Sequence, residues 1–442
     1  MSGDFLKTFK LTNAYDSHVH WQGTGGFASR LSLADLSSAE DIRNLKSEKR
    51  HHRGEWLLGF GWDENKWPSK QTPTRELLDE VFPKTPVKFT RADAHSAWVN
   101  TEALKRAGLF SQNPSQPDGG LIELDDDGWP TGILIDMAMS PIDKLLPAPT
   151  VNELKADLLT GAAIFNQAGF THIRDMTCDE AEWQAKCELA DSGELTLAVE
   201  QNFNCTGPGD FAKALQLASR AQQGVRKLLR PLGTKIFLDG ALGSEGAYLS
   251  EEYPSGGRGV LLIERIALKE MVKETWANGL DVAIHAIGDE AAHIVCSVAS
   301  ELWDVGEQGR LHIEHAEMLR PDSIEKIRGR DVICHIQPCH WHTDKAWLKQ
   351  KLGDLYEHVF PWARLEEAKV RFHFGSDSPI EKPDLFSNMT AVVESGLNGI
   401  RPLAGHPHLY QQHWDIEWTP DTYTSFEAGE VAEVMFMGNK LS

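Results

Sequence analysis

Side chains suited to binding a metal ion recur along this chain at the ends of segments with β-strand composition. His18 and His20 flank Val19, and the period of two in a strand points both imidazoles to the same face. Imidazole nitrogens are common ligands of Zn²⁺ and similar ions. An isolated H-x-H spacing is weak evidence, because many such pairs are ordinary surface or core histidines. The pair therefore indicates a metal site only if other ligands converge on it.

Polar residues also lie at the ends of four later predicted strands: Lys235, His285, His315 and Asp377. Apolar segments such as 282–284 lead into these residues, and a buried imidazole, ammonium or carboxylate without a partner would be costly. Each one alone is explained equally well as a buried hydrogen-bonding residue. Together with the histidine pair they favour one shared metal centre.

A barrel of parallel strands would bring these residues together. After about residue 150, short β-rich segments alternate with amphipathic ones, which is typical of βα units. The predicted strands are 14–20, 169–176, 195–202, 233–239, 280–287, 310–315, 331–337 and 370–376. Eight such units predict an α/β fold, a (β/α)8 TIM barrel, whose catalytic groups lie at the C-terminal ends of the strands.

A long insertion, 21–149, separates the first two predicted strands and contains strand-like segments at 56–61 and 87–90. Because it leaves the barrel after the first strand, we expect it to form a cap at the catalytic face. The barrel domain is predicted over 16–414. Residues 1–15 and 415–442 are predicted to form a small terminal β-structure, in which a hairpin at 430–441 pairs with 5–11.

The composition limits the partners. A formal net charge of −21 disfavours DNA and anionic membranes. Six cysteines without a C-x-x-C pair predict reduced thiols and a cytoplasmic location, and the first fifteen residues lack the apolar core of a signal peptide. We therefore expect a soluble protein that acts on a small molecule.

Short motifs in a fixed order carry a resemblance that covers nearly the whole chain. They are DSHVH (16–20), GWD (61–63), DAHSAWVN (93–100), KIFLDGALGS (235–244), HAIGD (285–289), IEH (313–315), QPCH (337–340) and GSDSP (375–379). In this order they resemble the metal-dependent amidohydrolase superfamily, in particular its subgroup of N-substituted formamide deformylase-like and exoenzyme-regulator-like proteins.

The resemblance implies a site with one or two ions, usually Zn²⁺, with Mn²⁺ or Fe²⁺ as alternatives. It implies that one ion is held by His18, His20 and Asp377, and the other by His285 and His315. It further implies that Lys235 bridges the ions as an N6-carboxylated lysine, since an ammonium between two dications is repelled whereas a neutral amine can take up CO2. A lysine that stays uncarboxylated beside a single ion is the alternative.

In such a site a metal-activated hydroxide attacks the substrate, and Asp377 is the predicted proton shuttle. His95 is predicted to stabilise the oxyanion or bind substrate, with a structural position near a helix N-cap as an equal alternative. Further substrate contacts are predicted at Trp62, Asp63, His340 and Asp344, against packing or loop hydrogen bonding. A Cys339 nucleophile beside His340 is a minor alternative.

The predicted function is hydrolysis of a carbon–nitrogen bond in a non-peptide amide or N-acyl compound. The alternatives are a hydrolase of cyclic amides or esters and a metal-binding regulator without catalysis. Two departures from the family bear on this. Glu245 stands where relatives commonly carry a basic residue, which puts the substrate preference in doubt. The short N-terminal β-structure would leave one flank of the barrel uncovered, and we expect a second subunit to cover it in a homo-oligomer.

Overall fold

The structure is a computed structural model that describes residues 8–69, 71–92, 96–117, 120–395, 418–427 and 430–441. The chain divides into two compact units. The first consists of Met1–Gly23 and Gly161–Ser442, and the second of Thr24–Thr160. The second unit therefore contains most of the predicted insertion, 21–149. That the insertion caps the barrel stays a prediction.

Eight parallel strands form the sheet of the first unit, in the order in which they occur along the chain. They are Tyr15–Val19, His172–Asp175, Ala198–Asn204, Leu229–Phe237, Asp281–Ala286, Leu311–His315, Val332–Ile336 and Arg371–Phe374. Val19 bridges to Ser378, just beyond the eighth strand, so the two edges of the sheet approach each other. The predicted TIM barrel and all eight of its strands are confirmed.

Helices connect successive strands of the barrel. They are Val151–Gln167, Glu180–Ser192, Pro208–Gln222, Arg265–Ala277, Asp289–Asp304, Pro321–Ile327, Pro338–Asp344, Leu348–Leu352, Trp362–Glu367 and Leu385–Ser395. Apolar stripes face the core: in Arg265–Ala277 the residues Leu268, Met271, Val272 and Trp276 are all buried. Within the described ranges, every helix is too short or too polar to span a bilayer. All six cysteines are free thiols.

The fourth strand begins at Leu229, four residues before its predicted start at Gly233. Pro231 lies within this strand, although a proline cannot donate a hydrogen bond to the ladder. The register shifts at this point: Pro231 lies opposite Gln201, and Gly233 lies opposite Asn202. Such an irregularity lets a strand accommodate a proline and continue.

The two termini form a four-stranded antiparallel sheet with the order Thr8–Thr12, Tyr423–Glu427, Glu430–Phe436 and Asn439–Lys440. The predicted hairpin at 430–441 is present. Its predicted pairing with 5–11 is wrong, because Tyr423–Glu427 lies between them. Thr424 and Phe426 are the buried face of that strand. Only one of these two buried residues is apolar, so the segment lacks the alternating hydrophobic pattern that predicts a strand.

The second unit has its own sheet of seven strands. They are Leu31–Ser32, His52–Arg53, Trp56–Trp62, Val87–Arg91, Ser96–Val99, Gly120–Leu124 and Pro130–Asp136. Short helices Arg75–Val81, Thr101–Arg106 and Ser140–Asp143 accompany them. The strands predicted at 56–61 and 87–90 are confirmed. Hydrophobic clusters around Trp98 and Leu134 pack as separate cores.

Gly233 provides a test of the barrel. A Cβ added there would lie 1.7 Å from the backbone oxygen of Asp281 on the neighbouring strand, a contact that neither strand can relieve without moving. Gly233→Ala should lower the free energy of unfolding by about 1–3 kcal/mol or more. The measurement is urea denaturation followed by circular dichroism. Gly209→Ala is the control, because an added Cβ there meets no atom within 4 Å. Equal stability of the two variants would contradict the strand register described above.

Candidate metal centre

The first barrel strand carries His18 near its C-terminal end, and this residue is fully buried. Its Nδ1 lies 2.6 Å from Oε2 of Glu314. A carboxylate at this distance fixes the tautomer that carries the proton on Nδ1, which leaves the lone pair of Nε2 available. That Nε2 has no hydrogen-bond partner among the described residues. His18 is thus oriented as a ligand would be.

Asp377, just after the eighth strand, faces both histidines of the first strand. Its Oδ1 lies 3.4 Å from Nε2 of His18 and 3.2 Å from Nε2 of His20. Burial raises the pKa of Asp377, but the nearby imidazoles, His18 first, outweigh burial, so the pKa lies well below its ordinary value. The predicted grouping of His18, His20 and Asp377 is present as a set whose ligand atoms lie within 4.8 Å of one another.

His285 and His315 come from the fifth and sixth strands. The centroid of the His315 ring lies 4.4 Å from that of His285 and 4.7 Å from that of His18, so the three rings adjoin. Burial and the nearby Lys235 lower the pKa of His285 to about 3, and burial holds the pKa of His315 well below its ordinary value. Both imidazoles are therefore neutral at neutral pH, which is the form that binds metal.

Lys235 lies on the fourth strand and is fully buried. Its Nζ is 4.0 Å from the centroid of the Phe237 ring and has no hydrogen-bond partner in the described part of the chain. Burial lowers the pKa of Lys235 to about 8, against the opposing charges of Glu314 and Asp377. A lysine with this pKa is partly neutral near physiological pH, as carboxylation of the amine would require.

The residues fit a metal ion. Buried polar atoms in proteins nearly always have a hydrogen-bond partner. Here several such atoms on adjoining strands lack one within the described ranges: His18 Nε2, His285 Nε2, His340 Nε2, Lys235 Nζ and Asp377 Oδ1. Imidazole nitrogens with one carboxylate form a donor set suited to Zn²⁺, Mn²⁺ or Fe²⁺.

His340 belongs to the same site. It lies on the helix Pro338–Asp344, with Nδ1 2.9 Å from Glu317 Oε1 and Nε2 3.6 Å from Asp377 Oδ2. Burial lowers the pKa of His340, but Glu317 and Asp377 raise it by more than burial lowers it, to about 9. Asp344, half-buried on the same helix, has its pKa raised to about 7 by burial and by Glu317. Whether His340 and Asp344 contact substrate stays a prediction.

Of the site residues predicted in the insertion, Trp62 packs in a core. Its side chain is 1% exposed in a hydrophobic cluster, and its indole N–H donates to the carbonyl of Phe89 at 2.8 Å. Packing, the alternative given above, accounts for these contacts, and a substrate contact of Trp62 stays a prediction. Asp63 accepts a hydrogen bond from Arg91 at 3.0 Å. His95 lies outside the described residues.

Sequence reasoning missed the residues that support the ligands. Glu314 is buried between His18 and Arg174, whose Nη1 donates to it at 2.8 Å. Burial raises the pKa of Glu314, but Arg174 and the histidines hold it well below its ordinary value. The signal was present in the sequence: a glutamate inside an apolar strand needs a charged partner. The sequence pattern could not identify this partner as Arg174, because the two residues lie 140 positions apart.

Asp239 has a comparable supporting role on the loop after the fourth strand. Its carboxylate accepts hydrogen bonds from the backbone N–H groups of Tyr248, Ile287 and Gly288 at 2.8–3.1 Å. Its Oδ1 also lies 3.5 Å from Nε2 of His285. It therefore fixes the loops on either side of that ligand. The nearby Glu245 lies 3.5 Å from the ammonium of Lys351.

Two other arrangements are disfavoured. Burial and the charges of Glu381 and Asp384 raise the pKa of Cys339 to about 12, so its thiol is protonated and a poor nucleophile. His312, Glu314 and His335 also have ligand atoms within 4.8 Å of one another. Both carboxylate oxygens of Glu314 are already bound by His18 and Arg174, and that guanidinium repels a cation.

Comparison with known proteins agrees with this geometry. Residues 15–418 match the Amidohydrolase family. Amidohydrolase YtcJ of Bacillus subtilis is 30% identical over 393 residues, which are 86% of this chain and 72% of that protein. This chain belongs to the amidohydrolase family. The predicted resemblance is confirmed.

Two further comparisons bear on this family member. N-substituted formamide deformylase of Arthrobacter pascens is 24% identical over 371 residues, covering 79% of this chain and 66% of that enzyme. The crystal structure of an uncharacterized metal-dependent hydrolase from Pyrococcus horikoshii is 25% identical with a TM-score of 0.71, covering 92% of this chain and 77% of that one. With the donor set above, these similarities support a hydrolase with a metal cofactor.

Glu314→Gln tests the support of His18. The change removes the charge that balances Arg174 and weakens the bond that orients the imidazole. We expect metal affinity to fall about 10–100-fold and the free energy of unfolding to fall by about 3–5 kcal/mol. Metal content after dialysis against graded chelator, together with thermal melting, measures both. Glu325→Gln, an exposed partner of Arg328, is the control. Unchanged metal affinity in Glu314→Gln would mean that His18 needs no such partner.

The lowered pKa of Lys235 predicts that the stability of the metal-free protein depends on pH. Its pKa is about 8 in the folded state against an ordinary value of 10.5. Below both values the lysine is protonated in both states, and the folded state bears the full cost of burying the charge. As pH rises from about 8 to 10.5 the folded state loses its proton first, so stability increases. Relative to Lys235→Met, the wild type should gain about 2 kcal/mol between pH 7.5 and 9.5 in urea titrations. A constant difference between the two proteins would contradict this pKa.

Proposed function

We propose that this amidohydrolase hydrolyses a carbon–nitrogen bond of a small non-peptide amide or N-acyl compound. The observation that carries the proposal is the position of Asp377. Its two carboxylate oxygens face imidazoles of two different kinds: ligand-type histidines on one side and the Glu317-supported His340 on the other. A buried carboxylate in this position can hold and transfer a proton within the site.

The metal would be held by residues already converging. We propose His18, His20 and Asp377 for one Zn²⁺ ion and His285 and His315 for a second, with Mn²⁺ or Fe²⁺ as alternatives, and Lys235 carboxylated between them. When bound, such ions supply Lewis acidity toward a carbonyl and activate water near neutral pH. The unpartnered Nζ of Lys235 and its pKa of about 8 support carboxylation, because the reaction with CO2 needs the neutral amine.

The chain's own residues would handle the protons. The low pKa of Asp377 keeps it ionised at neutral pH, so it can accept a proton from water and pass it to the leaving nitrogen. His340, whose pKa is about 9, is protonated at neutral pH and can stabilise negative charge on the substrate oxygen. The predicted role of His95 in stabilising the same charge or binding substrate stays a prediction.

The choice of a carbon–nitrogen bond is supported by the relatives. Their names include an amidohydrolase and an N-substituted formamide deformylase. Cyclic amides and esters are further substrates that the same ligand set would support. A regulator without catalysis is the other candidate, because the exoenzymes regulatory protein AepA of Pectobacterium carotovorum is 23% identical over 368 residues. A binding protein, however, has no need of a proton-transferring carboxylate such as Asp377.

Asp377→Asn tests this function. The purified chain, loaded with Zn²⁺ or Mn²⁺, is assayed against a panel of N-formyl and N-acyl amides, lactams and esters. We expect turnover of one of the amides, and Asp377→Asn should lower kcat by about 10²–10⁴-fold, because it removes the proton acceptor. Elemental analysis establishes whether the variant retains metal.

Asp354→Asn, on an exposed residue, is the matched control and should leave kcat unchanged. Full metal occupancy without turnover of any member of the panel would favour the regulator. Turnover of esters or lactams alone would contradict the proposed bond class while preserving a hydrolase.

A further inference from the structure

A cavity within the inserted unit is lined by cations. It has a volume of about 420 Å³, and every residue that lines it lies between Gly26 and Asp157. The cations that line it are Arg30, Lys49, Arg50 and Arg53, and the carboxylates are Glu153 and Asp157. Cations thus outnumber carboxylates by four to two, although carboxylates exceed cations by 65 to 44 in the whole chain.

Arg30 is the most constrained of these cations. Its guanidinium lies 4.3 Å from the centroid of the Phe27 ring, which itself stacks on Phe60 at 4.4 Å. Its Nε is buried and has no hydrogen-bond partner among the described residues, and Arg30 forms no ion pair with any described carboxylate. Burial and the neighbouring charge of Arg53 lower the pKa of Arg30 to about 10. The carboxylates of Asp157 and Asp143 oppose this effect without restoring the ordinary pKa. The side chain is therefore held in place by packing while its charge is only partly compensated.

The nearby carboxylates relieve only part of this charge. Asp143, which also acts on Arg30, is bound by the ammonium of Lys88. Glu153 accepts hydrogen bonds from the backbone and hydroxyl of Thr150 at 2.8 Å, which caps the helix Val151–Gln167. This cap holds the start of the helix, a region of partial positive charge, at the cavity wall.

Three further cations complete the arrangement. Arg53 and Lys49 have no ion-pair partner in the described part of the chain, and Arg50 has only the exposed Glu48 at 3.3 Å. Two cations next to each other at a concave surface repel unless an anion lies between them. The chain contains 65 carboxylates, which could have paired with these cations, but only two of them line this cavity.

We propose that this cavity binds a small molecule that carries a phosphate group, held by Arg30 and Arg53. Guanidinium groups match the oxygens of phosphate with paired hydrogen bonds. A dianion compensates two cations, whereas a monocarboxylate compensates one. The cavity exceeds the needs of a bare phosphate ion and lies within the size range of sites for small organic ligands. The inference does not rest on the proposed function, because none of the lining residues is a predicted metal ligand.

Calorimetric titration of the metal-loaded, full-length chain tests the proposal. The probes are inorganic phosphate, glycerol 3-phosphate and acetate at matched ionic strength. We expect both phosphate probes to bind at one site per chain that is lost from Arg30→Gln, and acetate to bind at least about tenfold more weakly. Arg30→Gln and Arg53→Gln should each weaken the binding of glycerol 3-phosphate at least about tenfold, because each removes a charged hydrogen-bonding partner.

Arg328→Gln is the matched control, since that arginine is exposed and pairs with Glu325, and it should leave binding unchanged. Phosphate bound only at the metal centre would be insensitive to Arg30→Gln and Arg53→Gln. If both variants bound glycerol 3-phosphate as tightly as the wild type, the proposal would be overturned. The proposal would also be overturned if acetate bound as tightly as the phosphate probes, or if inorganic phosphate bound and glycerol 3-phosphate did not. Thermal melting checks that the variants fold. If Arg30→Gln does not fold, the partly exposed Arg53 decides the question by itself.

Discussion

The barrel interior depends on a chain of buried polar contacts that starts at an arginine. Arg174 on the second strand binds Glu314 on the sixth, Glu314 binds His18 on the first, and His18 faces Asp377 after the eighth. None of these groups could be buried alone without a large cost in free energy. Their mutual compensation makes the interior polar where a barrel of this size would otherwise be packed with aliphatic side chains.

The ends of the strands adopt unusual backbone conformations where the ligands lie. His315, Ala316 and Asp377 all have positive φ, at 70°, 45° and 58°. Such values are uncommon outside glycine and persist only where the surroundings hold them. Two contacts provide this support: Asp377 N–H donates to the carbonyl of His18, and Nδ1 of His315 lies 3.0 Å from Oε1 of Gln337. The turn at each strand end aims a side chain that the regular pleat would have directed elsewhere.

Cations in the interior of the two units differ in their partners. In the barrel unit, Arg174 and Lys186 have the carboxylate partners Glu314 and Asp175, whereas Lys235, at the proposed metal centre, has no hydrogen-bond partner among the described residues. In the inserted unit, Arg30 is packed against an aromatic ring and has no such partner among the described residues. A buried charge that is paired contributes to the fold, whereas one left unpaired is retained at a cost to stability. That difference is the physical reason for assigning the arginine cavity a ligand.

The sequence alone determined the eight barrel strands, because apolar β-rich segments alternated with helical stripes, and polar residues at strand ends predicted a set of candidate metal ligands. The tertiary structure decided what patterns along the chain cannot carry. It placed Tyr423–Glu427 between the terminal strands, buried Trp62 in a core, and joined Glu314 to Arg174. These outcomes depend on contacts between residues far apart in sequence. The periodicity of a segment reveals which of its residues are buried, but the partner that compensates a buried charge is set only when the strands assemble.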